Sequence, residues 1–215
     1  MRTDVVTIDA SSVAKLFLEE RDSPSFRTWY RAMQDHGVEF RTPHLLVYEL
    51  GNTIANEFPE ADEHMRARIL ENALTGIQLH ETEPDQPFRF MARPKLTYYD
   101  AAYVADGFDS GSIASADKDL RKSAANTGNL TRIWTPELQA AAVAPSFAAW
   151  LRAQDEQDAT GDVSRDIRAD PSSKTLETYL DVWRHLEGMR ASDSAIKALD
   201  EALAVFTSFT KPSLR

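Results

Sequence analysis

Apolar and polar residues follow two rhythms along the first 135 residues, and the alternation between them predicts the architecture. Short apolar runs of strand length stand at 4–9, 38–42, 77–80, 111–115 and 131–134. Between them the apolar positions recur at helical spacing. Phe26, Trp29, Tyr30 and Met33 define a helix over 23–36 that Gly37 stops. Leu46, Leu50 and Ile54 mark the buried stripe of a helix opened by Pro43 and running to about 57. Further helices are expected at 11–19, 61–75 and 117–126, and one begins at Thr97 with a capping-box pattern closed by Asp100. Residues 82–95 are proline-rich and read as a loop. Strands alternating with helices predict an α/β fold with a parallel sheet, in which sites form at the carboxyl ends of the strands.

The rhythm changes after residue 135. Residues 1–137 read as one domain, 138–146 as a linker, and 147–210 as a small all-α domain with helices near 147–153, 162–169, 174–187 and 192–207. Phe147, Trp150, Leu151, Tyr179, Leu180 and Trp183 are its expected core. Some 70 residues without disulfides would be only modestly stable alone.

Composition narrows the function classes. Cysteine is absent, which removes disulfides, thiolate metal sites and a cysteine nucleophile and is compatible with a cytoplasmic protein. The five histidines show no metal-ligand spacing, so zinc is not expected. No apolar run is long enough to span a bilayer, and no membrane partner is expected. A net charge of −10 argues against a nonspecific nucleic-acid coat protein, though not against a nuclease whose field is set by bound cations.

Four acids carry the candidate chemistry. Asp9 ends the strand-like V-V-T-I-D, Glu49 interrupts L-L-V-Y-E-L, Asp100 interrupts Y-Y-D-A-A-Y-V-A, and Asp117 follows S-I-A-S-A-D. Singly, Asp9, Asp100 and Asp117 can be helix caps, and Glu49 can pair with Arg41. If they converge, clustered carboxylates require a counter-charge, and hard oxygen donors suit Mg²⁺ or Mn²⁺. Such a centre points to metal-dependent phosphodiester hydrolysis. Lys15, Arg93, Lys95, Lys118, Arg121 and Lys122 are candidate phosphate guides. In the second domain Asp162, Asp166 and Asp170 are spaced four apart but read better as an N-cap, an arginine partner and a helix end.

The stretches I-D-A-S-S-V-A-K-L-F-L, P-H-L-L-V-Y-E-L-G-N, L-T-Y-Y-D-A-A-Y-V-A and S-A-D-K-D-L, in that order, resemble a PIN domain, nearest to the VapC toxin type, over about residues 3–135. The resemblance implies a PIN-like sheet flanked by helices and an endoribonuclease acting on RNA. It implies Mg²⁺ or Mn²⁺ held by Asp9, Glu49, Asp100 and Asp117, with Asp119 at a position that varies in the family. Ser11 and Ser115 fall where the family often has hydroxyls near the acids, and Lys118 and Arg121 follow on the same helix as Asp117. A cognate antitoxin and a homodimer are the partners it implies. Two other readings compete. One is a non-catalytic PIN scaffold that binds protein or RNA. The other is a haloacid-dehalogenase-type phosphatase, which expects an aspartate where Ser11 stands. The helical segments from F-A-A-W-L to D-E-A-L-A-V-F resemble the YozE SAM-like family over about 145–208, departing at Leu203 and Phe206, where aromatic residues such as Trp and Tyr are usual.

Overall fold

The computed structural model describes residues 4–91, 96–127, 130, 132–154 and 158–210. Contacts divide the chain into two compact units, residues 1–27 with 37–136, and residues 28–36 with 137–215.

The first unit is a parallel α/β structure. In chain order it contains β1 (Val5–Ile8), α1 (Ala10–Val13) with a 3₁₀ turn at Ala14–Leu16, the start of α2 (Ser23–Asp35), β2 (Glu39–Pro43), α3 (Leu45–Glu57), α4 (Glu63–Leu74) and β3 (Ile77–His80). It continues through α5 (Phe88–Met91), α6 (Tyr98–Ser110), β4 (Ser112–Ala114), α7 (Lys118–Ala125) and β5 (Arg132–Trp134). The strands lie in the order β3-β2-β1-β4-β5, and every neighbouring pair is parallel. The chain therefore winds outward from β1 to β3, then returns to the other side of β1 with β4. That reversal makes the carboxyl ends of β1 and β4 a topological switch point, where open α/β sheets form their crevices.

Local chemistry explains the joints. Val6, Ile8, Phe40 and Ile113 are buried, as expected for strands covered on both faces. α6 ends on Gly111 in the left-handed region, φ 79°, so the chain turns directly into β4. Gly107 lets α6 approach β4, since a Cβ there would lie 3.1 Å from Ile113 Cβ.

Several elements differ from the sequence reading. The first helix stops at Val13 and continues only as a 3₁₀ turn, rather than reaching 19. Pro43 ends β2, and His44 precedes the helix. The 82–95 loop contains α5, and residues 92–95 of it lie outside the described residues.

The second unit is all-helical: α8 (Pro136–Ala142), α9 (Phe147–Arg152), α10 (Ala159–Ala169), a 3₁₀ turn at Pro171–Thr175, α11 (Tyr179–Gly188) and α12 (Asp193–Thr210), with the later part of α2. α8 occupies most of the expected linker, because proline at its first position and the alanines after it favour helix. Phe147, Leu151, Tyr179, Leu180 and Trp183 are buried, with the Phe147 ring edge-on to Tyr179 and Phe206 at 5.5 and 5.3 Å. Asp158, not Asp162, caps α10, while Asp162 pairs with Arg165. Asp170 caps the following turn and meets His185 Nε2 at 2.7 Å. Among the described residues no helix is long and apolar enough to cross a membrane.

Candidate functional site

The four acids are mounted on four different elements. Asp9 immediately follows β1 and caps α1, accepting from Ser12 N at 2.9 Å. Asp117 caps α7 just beyond β4, its Oδ1 accepting from Asp119 N at 2.7 Å and Leu120 N at 2.9 Å. Glu49 projects from α3, and Asp100 is the third residue of α6, closing a capping box with Thr97. Because Ile8 pairs with Ala114, the ends carrying Asp9 and Asp117 are adjacent.

Two serines lock those ends together. Ser11 Oγ lies 2.9 and 2.7 Å from the two Asp9 carboxylate oxygens, to which it donates, and it accepts from Ala116 N and Asp117 N at 3.0 and 3.2 Å. Ser115 Oγ donates to Asp9 Oδ2 at 2.6 Å and accepts from Asp117 N at 3.0 Å. Both hydroxyls are thus framework for Asp9, as well as members of the site.

Asp9, Glu49, Asp100 and Asp117 line one cavity of about 110 Å³, together with Ser11 and Tyr103. Tyr103 did not stand out in the sequence. Its phenol donates to Glu49 Oε2 at 2.5 Å, and it is buried. The signal was its place three residues after Asp100, on the same helix face.

Burial is the first influence on the cavity acids. Burial pushes the Asp9 carboxyl above its ordinary value, against hydrogen bonds from Ser115, Ser11 and Ser12 that pull it down. Burial also raises Glu49, the Tyr103 hydrogen bond opposes it, and the nearby charges of Asp100 and Asp9 add to the rise. The Tyr103 phenol is itself pushed far up, by burial first and then by Glu49.

The donor set fits a hard divalent cation. Glu49, Asp100 and Asp117 each spend one carboxylate oxygen on a positioning hydrogen bond. Their other oxygens, Glu49 Oε1, Asp100 Oδ1 and Asp117 Oδ2, accept none among the described residues. These are the ligand types that Mg²⁺ and Mn²⁺ take. Even so, among the described residues no three histidine or acidic side chains are drawn together as an ion would hold them.

The remaining candidates separate clearly. Asp119 is exposed in the first turn of α7 and does not line the acidic cavity. Lys118 is exposed beside Asp117, and Lys122 is exposed a turn later. Arg121 turns inward and donates to Ser115 O at 2.9 Å, so it braces the β4–α7 turn. Lys15 is 4% exposed and bridges Glu20 and Asp22 at 2.5 and 2.7 Å, which commits its charge to the fold and corrects the phosphate-guide expectation. Arg93 and Lys95 lie outside the described residues.

Arg41 does not pair with Glu49. Its guanidinium meets Asp106 Oδ1 at 2.8 Å, and His80 Nε2 meets the same oxygen at 2.7 Å. Thr7 donates to Asp106 Oδ2 at 2.6 Å. Asp106 is a buried acid that the sequence reading missed, supplied with a guanidinium and an imidazole partner by the fold itself.

No protein-family model matches the chain, and no curated protein does. Among solved structures, the crystal structure of PAE2754 from Pyrobaculum aerophilum aligns over 61% of this chain and 89% of that one, at 22% identity and a TM-score of 0.45. That likeness is too loose to carry function.

Proposed function

We propose that the chain is a metal-dependent endoribonuclease, with Asp9, Glu49, Asp100 and Asp117 holding Mg²⁺ or Mn²⁺. The observation that carries this reading is the convergence of four acids from four elements on one cavity at the switch point of a parallel sheet. A bound divalent cation supplies an activated water and neutralises charge on a phosphodiester in displacement. Ser11 and Ser115 hold both oxygens of Asp9, and Tyr103 holds one oxygen of Glu49, so two donors are fixed before substrate arrives. Lys118, exposed beside Asp117, offers positive charge to the RNA backbone. On the sequence resemblance, the first unit is a PIN domain of the VapC type, restrained by a cognate antitoxin, and the helical unit is YozE SAM-like.

The test is cleavage of a mixed RNA pool by the purified chain with Mn²⁺, Mg²⁺ or EDTA, beside Asp9→Asn. Metal-dependent cutting that the variant loses while keeping its fold is expected. Full activity in Asp9→Asn would sink the assignment. A second reading, a non-catalytic scaffold, is favoured by the spacing of the acids in the absence of an ion. Absence of both cutting and Mn²⁺ binding would decide for it.

A further inference from the structure

An open cleft of about 540 Å³ adjoins the acidic cavity and shares Ser11, Glu49 and Asp117 with it. Its other walls include Ala14, Leu18, Lys15, Glu20 and Asn52. The charge balance of these walls restricts what can sit there. Among the described residues Lys15 is the cleft's one cation, and it is already paired with Glu20 and Asp22. With Glu49 and Asp117 engaged by the proposed cation, Glu20 and Lys15 balance one another, so the cleft has no positive charge left for a further phosphate. The uncharged part of a nucleotide is its base. Ala14 and Leu18 offer apolar surface to a ring face, and Asn52 offers hydrogen bonds to a ring edge.

Asn52 is the group with no other task. Its amide carries both donors and an acceptor, and makes no hydrogen bond among the described residues. The neighbouring Thr53 hydroxyl, by contrast, donates to Glu49 O at 3.0 Å. Asn52 lies three residues after Glu49 on α3, on the same helix face, where side chains are about 5–6 Å apart at Cβ. Asn52 therefore stands within one helical turn of a proposed metal ligand.

We propose that this cleft takes the unpaired nucleobase adjoining the scissile phosphate and that Asn52 reads its edge, making Asn52 a specificity-determining residue. The proposal rests on the endoribonuclease reading above for its scissile phosphate. Single-stranded RNA is recognised in this way, by splayed bases hydrogen-bonded on their edges.

The experiment has two arms. In the first, cleavage products of a randomised single-stranded RNA pool are sequenced for the wild type, Asn52→Ala and Asn52→Asp. Asn52→Ala should flatten the preference at one position flanking the cut by about 5–150-fold, the range of one bidentate base contact. Asn52→Asp, which only accepts, should move the preference toward bases that present donors. In the second arm, binding of short single-stranded oligonucleotides differing at one base is measured by anisotropy on the Asp9→Asn background, where no cutting is needed. Thermal midpoints report folding, and Asn52 is exposed, so these should stay near wild type. Cutting with unaltered base preference in both Asn52 variants overturns the inference and leaves the nuclease standing. Absence of cutting, with base-selective binding that Asn52→Ala flattens, supports the cleft and overturns the nuclease. Neither cutting nor base-selective binding overturns both.

Discussion

Replacing Tyr103 by Phe removes one oxygen atom from beneath the site and nothing else from the packing. The ring is 2% exposed, so it keeps its place, while Glu49 Oε2 loses a donor at 2.5 Å. A hydrogen bond to a charged acceptor contributes about 1.5–3 kcal/mol. Glu49 is only half-buried, so water partly replaces the phenol and the lower end applies, about 1.5–2 kcal/mol. At about 2–4 °C per kcal/mol for a chain of this size, the metal-free midpoint should fall by about 3–8 °C. The second effect is on protonation. Tyr103 is the group that pulls the Glu49 carboxyl down, against burial, Asp100 and Asp9. Without it Glu49 holds its proton to higher pH, and Mn²⁺, which needs the carboxylate, should bind in a range shifted upward. Thermal unfolding in EDTA and calorimetric Mn²⁺ titrations across pH read the two effects separately. An unchanged midpoint with superimposable Mn²⁺ curves would refute the reasoning.

Three further predictions follow from the same contacts. Asp9 and Glu49 are both raised, so in the metal-free sheet unit the folded state keeps protons that the unfolded chain has released. Their contribution to stability should therefore decline as pH rises from the ordinary values of 3.8 and 4.5 through the raised ones, and saturating Mg²⁺ should abolish their share of the decline while leaving that of Asp106, which burial also raises. Urea unfolding at several pH values in EDTA and in Mg²⁺ checks this, and a contribution from these acids that grows across that window counts against it. Arg41→Met strips the buried Asp106 of its guanidinium partner; with Thr7 and His80 remaining, the cost should be about 2–3 kcal/mol by urea unfolding. Thr178→Ala removes the cap of α11, part of a reciprocal box with Asp181, and should cost the helical unit about 1 kcal/mol; a loss below a few tenths would show that Asp181 holds the turn alone.

What could be read from the chain was its local order. Apolar runs of strand length located all five strands, and each of the four acids already stood out by its apolar context. The short helices were less legible. α5 hides in a proline-rich stretch, and α8 lies where a linker was expected, because four to seven residues give periodicity too little length to register. Pairings were not legible at all. For Arg41 the chain suggested Glu49, whereas its partner in the fold is Asp106. The register decided between them: Thr7 pairs with Arg41 across β1 and β2, and Thr7 also bonds Asp106, so the guanidinium and that carboxylate meet over one strand position. Likewise Ser11 and Ser115 are 104 residues apart in the chain and share Asp9 only because β4 inserts beside β1.

Asp100, Tyr103 and Asp106 form one polar stripe along α6, three residues apart, and its two ends differ in how the fold surrounds an acid. Both are aspartates on the same helix. At the Asp106 end, β2 and β3 deliver Arg41 and His80 to a single oxygen, and the charge is answered within the fold. At the Asp100 end, the elements that converge deliver Asp9, Glu49 and Asp117, with hydroxyls from Ser11 and Tyr103 and no cation among the cavity's lining residues. A fold that gains nothing from crowding acids gathers them at its switch point and supplies positive charge to the neighbouring acid instead. The unanswered charge is therefore the feature to be explained. A cation from solution answers it directly.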